Sequence, residues 1–310
     1  MGKKFSKVTT SHWGAFNVFV ENDRIVKTEP FHADPAPPNI SELVPNAVYH
    51  STRIDQPYVR KGWIEKNTDT SRGSDEFIPI GWEDAIDLAA KELNRIKNDY
   101  GNKAIYGGSY GWASAGRFHH SQSQLHRFLN SFGGYVSSFA SYSTGAAQAI
   151  IPHVLGLNFH KITWGEINSW SLIGKHTDNL IIFGGINPKN SQVSMGGSTE
   201  HDVSDHFKKF GKMGKNMVSI SPQKDDSPKE TRWLPILPGT DVALMLAIAY
   251  VLETEKLTDQ NFLNKYCSGY ELFKTYFLGN NEHVAKTPEW ASEITGINAS
   301  DIKNLARKMA

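Results

Sequence analysis

The chain has 310 residues, enough for one large domain or two ordinary ones with a buried core. Hydrophobic residues make up 39% and charged residues 21%, the balance of a soluble globular protein. A net charge of +1 gives no electrostatic reason to expect nucleic acid or an anionic membrane as the main partner.

The single cysteine, Cys267, excludes an intrachain disulfide, a cysteine-ligated iron–sulfur cluster and a Cys-rich zinc site within the chain. It reads as a small core residue. No apolar run approaches the ~18 residues that span a bilayer, so no transmembrane segment is expected. The N-terminus has basic residues but no apolar segment behind them, unlike a secretory leader. The simplest location is cytoplasmic, and a lost or trimmed export signal would make it periplasmic.

Residues 8–30 predict short strands around a turn, Glu21-Asn22-Asp23-Arg24. Residues 31–41 are rich in proline and read as an extended loop. The segment 74–101 predicts a strand and then an amphipathic helix. Ala85, Leu88, Ala89, Leu93 and Ile96 fall near one face, and Gly101 is the stop. From there strands and helices alternate. Ala104-Ile-Tyr is a strand entering a glycine-rich loop, a helix covers roughly 117–132, and a second loop leads into a helix at 146–156. Asn179–Gly185 holds a buried strand, followed by a polar loop and a helix near 199–213. Asn216–Ser221 is the next buried strand, and 240–310 is helical. Short apolar strands separated by helices imply an α/β fold, with parallel-sheet layers covered by helices and a small β-rich segment at the N-terminus. The expected division is a β-rich segment over 1–60 and an α/β region over 61–310. Loops at 107–117, 139–145 and 184–195 hold the polar and glycine residues, and in open α/β sheets ligands bind beyond such strand ends.

Two segments carry candidate chemistry. In 107–120, Gly107, Gly108 and Gly111 allow a close backbone approach to a ligand, and Tyr110 and Trp112 bring an O–H and an N–H donor. A glycine turn with two core aromatics accounts for these residues equally well. In 141–156 a Ser/Thr-Gly turn opens an apolar helix, whose first amides suit an anion. An ordinary N-cap is the commoner role for Ser143 or Thr144. His119, His120 and His153 read as packed or solvated residues, and Trp164 and Trp170 either line an entrance or fill a core.

The stretches Gly-Ser-Tyr-Gly-Trp at 108–112 and Tyr-Ser-Thr-Gly-Ala-Ala-Gln at 142–148 together resemble one family. It contains the dimethyl sulfoxide, trimethylamine N-oxide and biotin (methionine) sulfoxide reductases. The likeness runs from Thr9 to the last helix. It implies molybdenum held by two molybdopterin guanine dinucleotides, with no iron–sulfur cluster. Ser143 then matches the family's oxygen ligand to the metal, a hard donor suited to a high-valent ion. Tyr110 and Trp112 match hydrogen-bond donors to the substrate oxygen, and Gly111 and Trp112 lie on the cofactor loop. The chemistry implied is oxygen atom transfer from an S-oxide or N-oxide to Mo(IV), with an unidentified donor supplying two electrons.

By the same resemblance, Lys189 and Asn190 match contacts to dinucleotide phosphates, as do Ser221, Pro222, Gly239, Thr240 and Asp241 to the rest of the nucleotide. Asp241 suits either the nucleotide or a helix cap. Two positions depart from the pattern, because Ser221 and Ser141 stand where the family has acidic residues. Family members are considerably longer, so the chain is read as a fragment, a truncated frame or a split product. Its missing C-terminal portion would then be a further partner. Alone it is expected to bind the full cofactor poorly and to expose apolar patches. The alternative reading is a truncated, non-catalytic molybdopterin-binding relative.

Overall fold

In a computed structural model the chain forms two compact units, Met1–Ile167 with Val193–Glu200, and Asn168–Gln192 with His201–Ala310. The structure describes residues 3–66, 73–108, 120–138, 141, 143–164, 168–193, 200–281 and 283–310.

The first unit opens with an antiparallel meander of β1 (Lys4–Ser11), β2 (Gly14–Glu21) and β3 (Arg24–Pro30). The expected turn links β2 and β3. Asn22 and Asp23 sit in the left-handed region at φ 51° and 61°, a turn whose twist matches the flanking strands. The proline-rich loop leads to α1 (Val44–Val48) and is tied to the meander where the buried Thr28 hydroxyl donates to the Ser41 carbonyl at 2.7 Å. Then come β4 (Tyr58–Arg60), α2 (Lys61–Ile64) and β5 (Phe77–Pro79), with β4 and β5 antiparallel.

The amphipathic helix is α3 (Trp82–Tyr100), stopped at Gly101 in the left-handed half of φ space, at +75°. Ala85, Leu88, Leu93 and Ile96 are half-buried, but Ala89 is exposed. The strand expected from Ala104 shrinks to one parallel bridge between Tyr106 and Val136. The helix after it, α4 (Ser121–Ser131), is capped by the His120 ring, which accepts from the Ser123 amide. Next are α5 (Gly145–Leu155) and α6 (Phe159–Trp164).

The second unit holds α7 (Trp170–His176), β6 (Asn179–Phe183), α8 (Val203–Lys212), β7 (Asn216–Ser221) and β8 (Arg232–Pro235). The helices α9 (Asp241–Thr254), α10 (Gln260–Tyr266), α11 (Tyr270–Leu278), α12 (Pro288–Thr295) and α13 (Ala299–Met309) complete it. The strands pair in parallel in the order β6-β7-β8. Alternation along each strand divides the side chains between two faces. Ile181, Phe183, Val218, Ile220 and Leu234 pack with Leu244, Ile248 and Val251 of α9, Ala291 of α12 and Ile302 and Leu305 of α13. Leu180, Ile182 and Met217 pack with Trp170 and Ile173 of α7 and Phe207 and Phe210 of α8. Both faces are therefore covered, as short apolar strands separated by helices predict. Burying a side chain such as Phe207 contributes about 1.5–3 kcal/mol.

Two details were not foreseen, and one open reading, that of Trp170, is decided. β8 is four residues long and ends in proline, so its sequence carries little strand signal. Trp170 fills a core, meeting Phe207 edge to face with 5.6 Å between ring centroids. Cys267 is exposed, correcting its reading as a core residue, because it terminates the short surface helix α10. Among the described residues, no helix is long and apolar enough to cross a membrane.

Candidate functional site

The segment before α5 separates the two readings of Ser143. Helix α5 starts at Gly145, so Thr144 occupies the capping position. The Thr144 carbonyl accepts from the Gln148 amide at 2.8 Å. Its hydroxyl accepts from the Gln148 side-chain amide at 2.6 Å and caps no backbone N–H. The helix therefore opens with first-turn amides that no capping side chain satisfies. Ser143 lies one residue further out. Its amide donates to the Ser141 hydroxyl at 3.3 Å, which fixes the backbone there. The Ser143 side chain is exposed, and its hydroxyl has no partner among the described residues. Capping does not account for it.

Helix α5 is apolar apart from Gln148 and His153, yet none of its residues is buried. Ile150 and Val154 are 60% and 70% exposed. A helix of that composition normally sits inside a larger protein.

Tyr110, Gly111 and Trp112 lie outside the described residues, as does His119. Gly107 is described, and its need is local packing. A Cβ there would come within 2.4 Å of Leu129 and 2.6 Å of Tyr135. Its carbonyl also lies 3.2 Å from Nε2 of His126, whose ring stacks on Tyr135. His153 is exposed in the last turn of α5.

In the second unit, the loops after β6, β7 and β8 all leave the carboxyl edge of one parallel sheet, where ligands of such sheets bind. The loop after β6 turns at Gly184 and Gly185, with φ 86° and 78°. Gly185 is a required glycine, because a Cβ would lie 2.4 Å from the Asp226 carbonyl oxygen. The Ile186 amide donates to that oxygen at 2.7 Å, and the Asn187 side-chain amide donates to Asp226 Oδ1 at 2.7 Å. Asn187 Oδ1 accepts from the Lys189 amide at 2.9 Å. Lys189 and Asn190 stand exposed at the crest, and their side chains have no partner among the described residues.

At the end of β7, Ser221 is fully buried. Its hydroxyl accepts from the Gln223 amide at 3.3 Å and its carbonyl accepts from the Trp233 indole at 2.9 Å. Ser221 thus shapes the loop, while Pro222, Gln223, Lys224 and Asp225 form its exposed surface. After β8 the chain turns at Gly239, φ 79°, and the Thr240 hydroxyl donates to the Leu237 carbonyl at 2.7 Å. Thr240 holds the capping position of α9 without a side-chain cap bond, and Asp241 is the first helical residue. The cap reading of Asp241 therefore fails, and the first-turn amides of α9 are left without a capping side chain.

Sequence reasoning missed Asn187, Asp226 and His201 as parts of this edge. His201 is 4% exposed, and its Nε2 lies 2.9 Å from the Gln192 carbonyl. The only signal available was an amide and a carboxylate close behind two strand ends.

The molybdopterin oxidoreductase family model matches residues 53–296, and the N-terminal domain model of the same family matches residues 9–49. The chain belongs to the molybdopterin oxidoreductase family. Membership implies a molybdenum–molybdopterin cofactor. The chain is 38% identical to the trimethylamine-N-oxide reductase of Haemophilus influenzae over 98% of its own length and 37% of that protein. It is also 38% identical to the biotin sulfoxide reductase of Cereibacter sphaeroides, over 90% of the chain and 38% of that protein. The dimethyl sulfoxide/trimethylamine N-oxide reductase of Cereibacter sphaeroides is again 38% identical, over 96% of the chain and 36% of that protein. The acetylene hydratase of Pelobacter acetylenicus shares the fold, with a TM-score of 0.60 at 22% identity over 97% of this chain and 38% of that one. The chain thus spans little more than a third of the length of the curated relatives it matches.

Proposed function

We propose that this chain forms the N-terminal cofactor-binding portion of an enzyme that reduces an S-oxide or N-oxide, such as dimethyl sulfoxide, trimethylamine N-oxide or biotin sulfoxide. The likeness to reductases of those compounds along almost the whole chain carries the reading. The cofactor proposed is molybdenum with two molybdopterin guanine dinucleotides, and when bound it supplies two-electron oxygen atom transfer.

The donor set fits that group. Ser143 offers one exposed hard oxygen, as a high-valent metal prefers, and the dithiolenes of the pterins would add soft sulfur. Its backbone is held by the Ser141 hydroxyl, so the ligand would be presented with little freedom to lose. Tyr110 and Trp112 are proposed to donate hydrogen bonds to the substrate oxygen, and Gly111 and Trp112 to flank the cofactor. At the carboxyl edge of the parallel sheet, Lys189 and Asn190 suit pyrophosphate oxygens, and the open amides behind Gly239, Thr240 and Asp241 suit a further anionic or polar group. Ser221 would act by shaping the turn that presents Pro222 and its neighbours. The remaining cofactor surface is assigned to the part of the relatives that this chain does not span.

The test is purification from a host that makes the cofactor, followed by molybdenum and pterin analysis and dye-coupled reduction of the three oxides. Pterin with less than one molybdenum per chain, release of GMP on hydrolysis, and little turnover without the rest of the protein are expected. Loss of the bound metal on Ser143→Ala is also expected. A chain free of pterin would overturn the proposal. Stoichiometric molybdenum with full turnover by the isolated chain would overturn its reading as an incomplete cage. Pterin retained but no reduction in the presence of the remaining portion would identify a non-catalytic relative instead.

A further inference from the structure

The exposed crest of the loop after β6 is held from both sides. At its start, the Gly184 amide donates to the Ile220 carbonyl at 2.9 Å, and Asp226 takes both the Ile186 amide and the Asn187 side chain. At its end, the buried His201 ring meets the Gln192 carbonyl, and since a carbonyl only accepts, Nε2 carries the proton. Within the loop, the Asn187 side chain passes the restraint on, because its oxygen accepts from the Lys189 amide. Asp226 is itself anchored. Its amide donates to the Gln223 carbonyl, and the hydroxyl of the next residue, Ser227, bonds that of the buried Ser219 of β7 at 2.7 Å. Gly185 allows the two loops to touch at that point.

We propose that Asp226 is a positioning residue for nucleotide binding, acting through Asn187 to hold the backbone of Lys189 and Asn190 in a phosphate-ready shape. The inference rests on the proposed role of Lys189 and Asn190 as phosphate contacts. The physical basis is preorganisation. A loop already fixed in its bound shape loses less entropy on binding, and groups behind a contact residue set its geometry. Asp226 contributes through its acceptor oxygen, so an asparagine there preserves the bond from Asn187 while an alanine removes it.

The experiment uses the whole chain with guanosine 5′-diphosphate as the probe. Affinity is read by calorimetry, amide exchange over 184–192 by mass spectrometry, and the thermal midpoint alongside. Asp226→Ala is expected to weaken the probe about tenfold, the loss of one bond made by a charged group, and to speed exchange at 187–190. Asp226→Asn is expected to stay within roughly twofold of the parent in both readouts, since the acceptor is kept. If Asp226→Ala does not fold, Asn187→Ala cuts the same relay one step on and carries the same expectation.

Three results would overturn the inference. In the first, Lys189→Ala weakens the probe while Asp226→Ala and Asn187→Ala leave affinity and exchange unchanged, which removes the relay but keeps the phosphate contact. In the second, Asp226→Ala and Asp226→Asn tighten binding equally, which makes Asp226 a source of repulsion. In the third, the probe is indifferent to Lys189, Asn190 and Asp226 alike, and the phosphate reading falls with the relay.

Discussion

Gly185 and Gly184 are neighbours with nearly the same positive φ, which makes them a controlled comparison. Both have positive φ, 78° and 86°, so an alanine at either pays the left-handed penalty of about 1–2 kcal/mol. At Gly184 a Cβ meets nothing within 4 Å, and that penalty is the whole cost. At Gly185 a Cβ would lie 2.4 Å from the Asp226 carbonyl oxygen and 3.0 Å from the Asp226 carbonyl carbon. Those are backbone atoms, so the loops must separate. Separation breaks the Ile186–Asp226 backbone bond and the Asn187–Asp226 side-chain bond, each contributing about 1 kcal/mol. Gly185→Ala is therefore expected to cost about 3–4 kcal/mol, against about 1–2 kcal/mol for Gly184→Ala. The difference is at least tenfold in the unfolding equilibrium, at about 1.4 kcal/mol per decade. Urea denaturation of both variants, with amide exchange over 184–192, measures it. Equal midpoints for the two variants would refute the claim that close loop contact, and not backbone conformation alone, demands glycine at 185.

Further outcomes follow from the same geometry. Ser143→Ala is expected to change stability by less than about 0.5 kcal/mol in thermal denaturation, because Thr144 holds the capping position, whereas loss of a true cap costs about 1 kcal/mol. Phe207→Ala, on α8 in the core with Ile182, Met217 and Trp170, is expected to cost about 3–5 kcal/mol by denaturant titration. Ile150→Lys with Val154→Lys is expected to leave the thermal midpoint unchanged but to lower hydrophobic dye binding, since both side chains are exposed. The Glu253 carboxyl is held below the usual carboxylate range chiefly by a hydrogen bond from Lys274, with help from the Tyr270 hydroxyl. A carboxyl lowered on folding stabilises the fold above its unfolded value and loses that contribution as pH falls through its folded value. Glu253→Gln should therefore weaken the protein at neutral pH and match the parent in acid, as pH-dependent denaturation will report.

Much of the second unit was legible. Leu180–Phe183 is a short unbroken apolar run, and Met217, Val218 and Ile220 supply both faces of the next strand between small serines, which is how a strand covered on both faces reads. The helices from Asp241 onward follow from their lengths and stops. The failures have physical causes. β8 is too short to carry a pattern, and the strand expected at Ala104 makes a single bridge. Cys267 was misplaced because residue type alone says nothing of a helix end. At the site, Ser143 and Thr144 read alike as caps, because the backbone and not the residue type sets the helix start at Gly145. The link from Asp226 to Asn187 spans 39 positions, and no local pattern signals a contact of that range.

The central claim is that Ser143 supplies the protein's oxygen to molybdenum. Molybdenum K-edge absorption on metal-loaded protein, parent against Ser143→Cys, tests it most directly. The account predicts that one oxygen neighbour of the metal is replaced by a sulfur. An unchanged ligand shell in Ser143→Cys would contradict it.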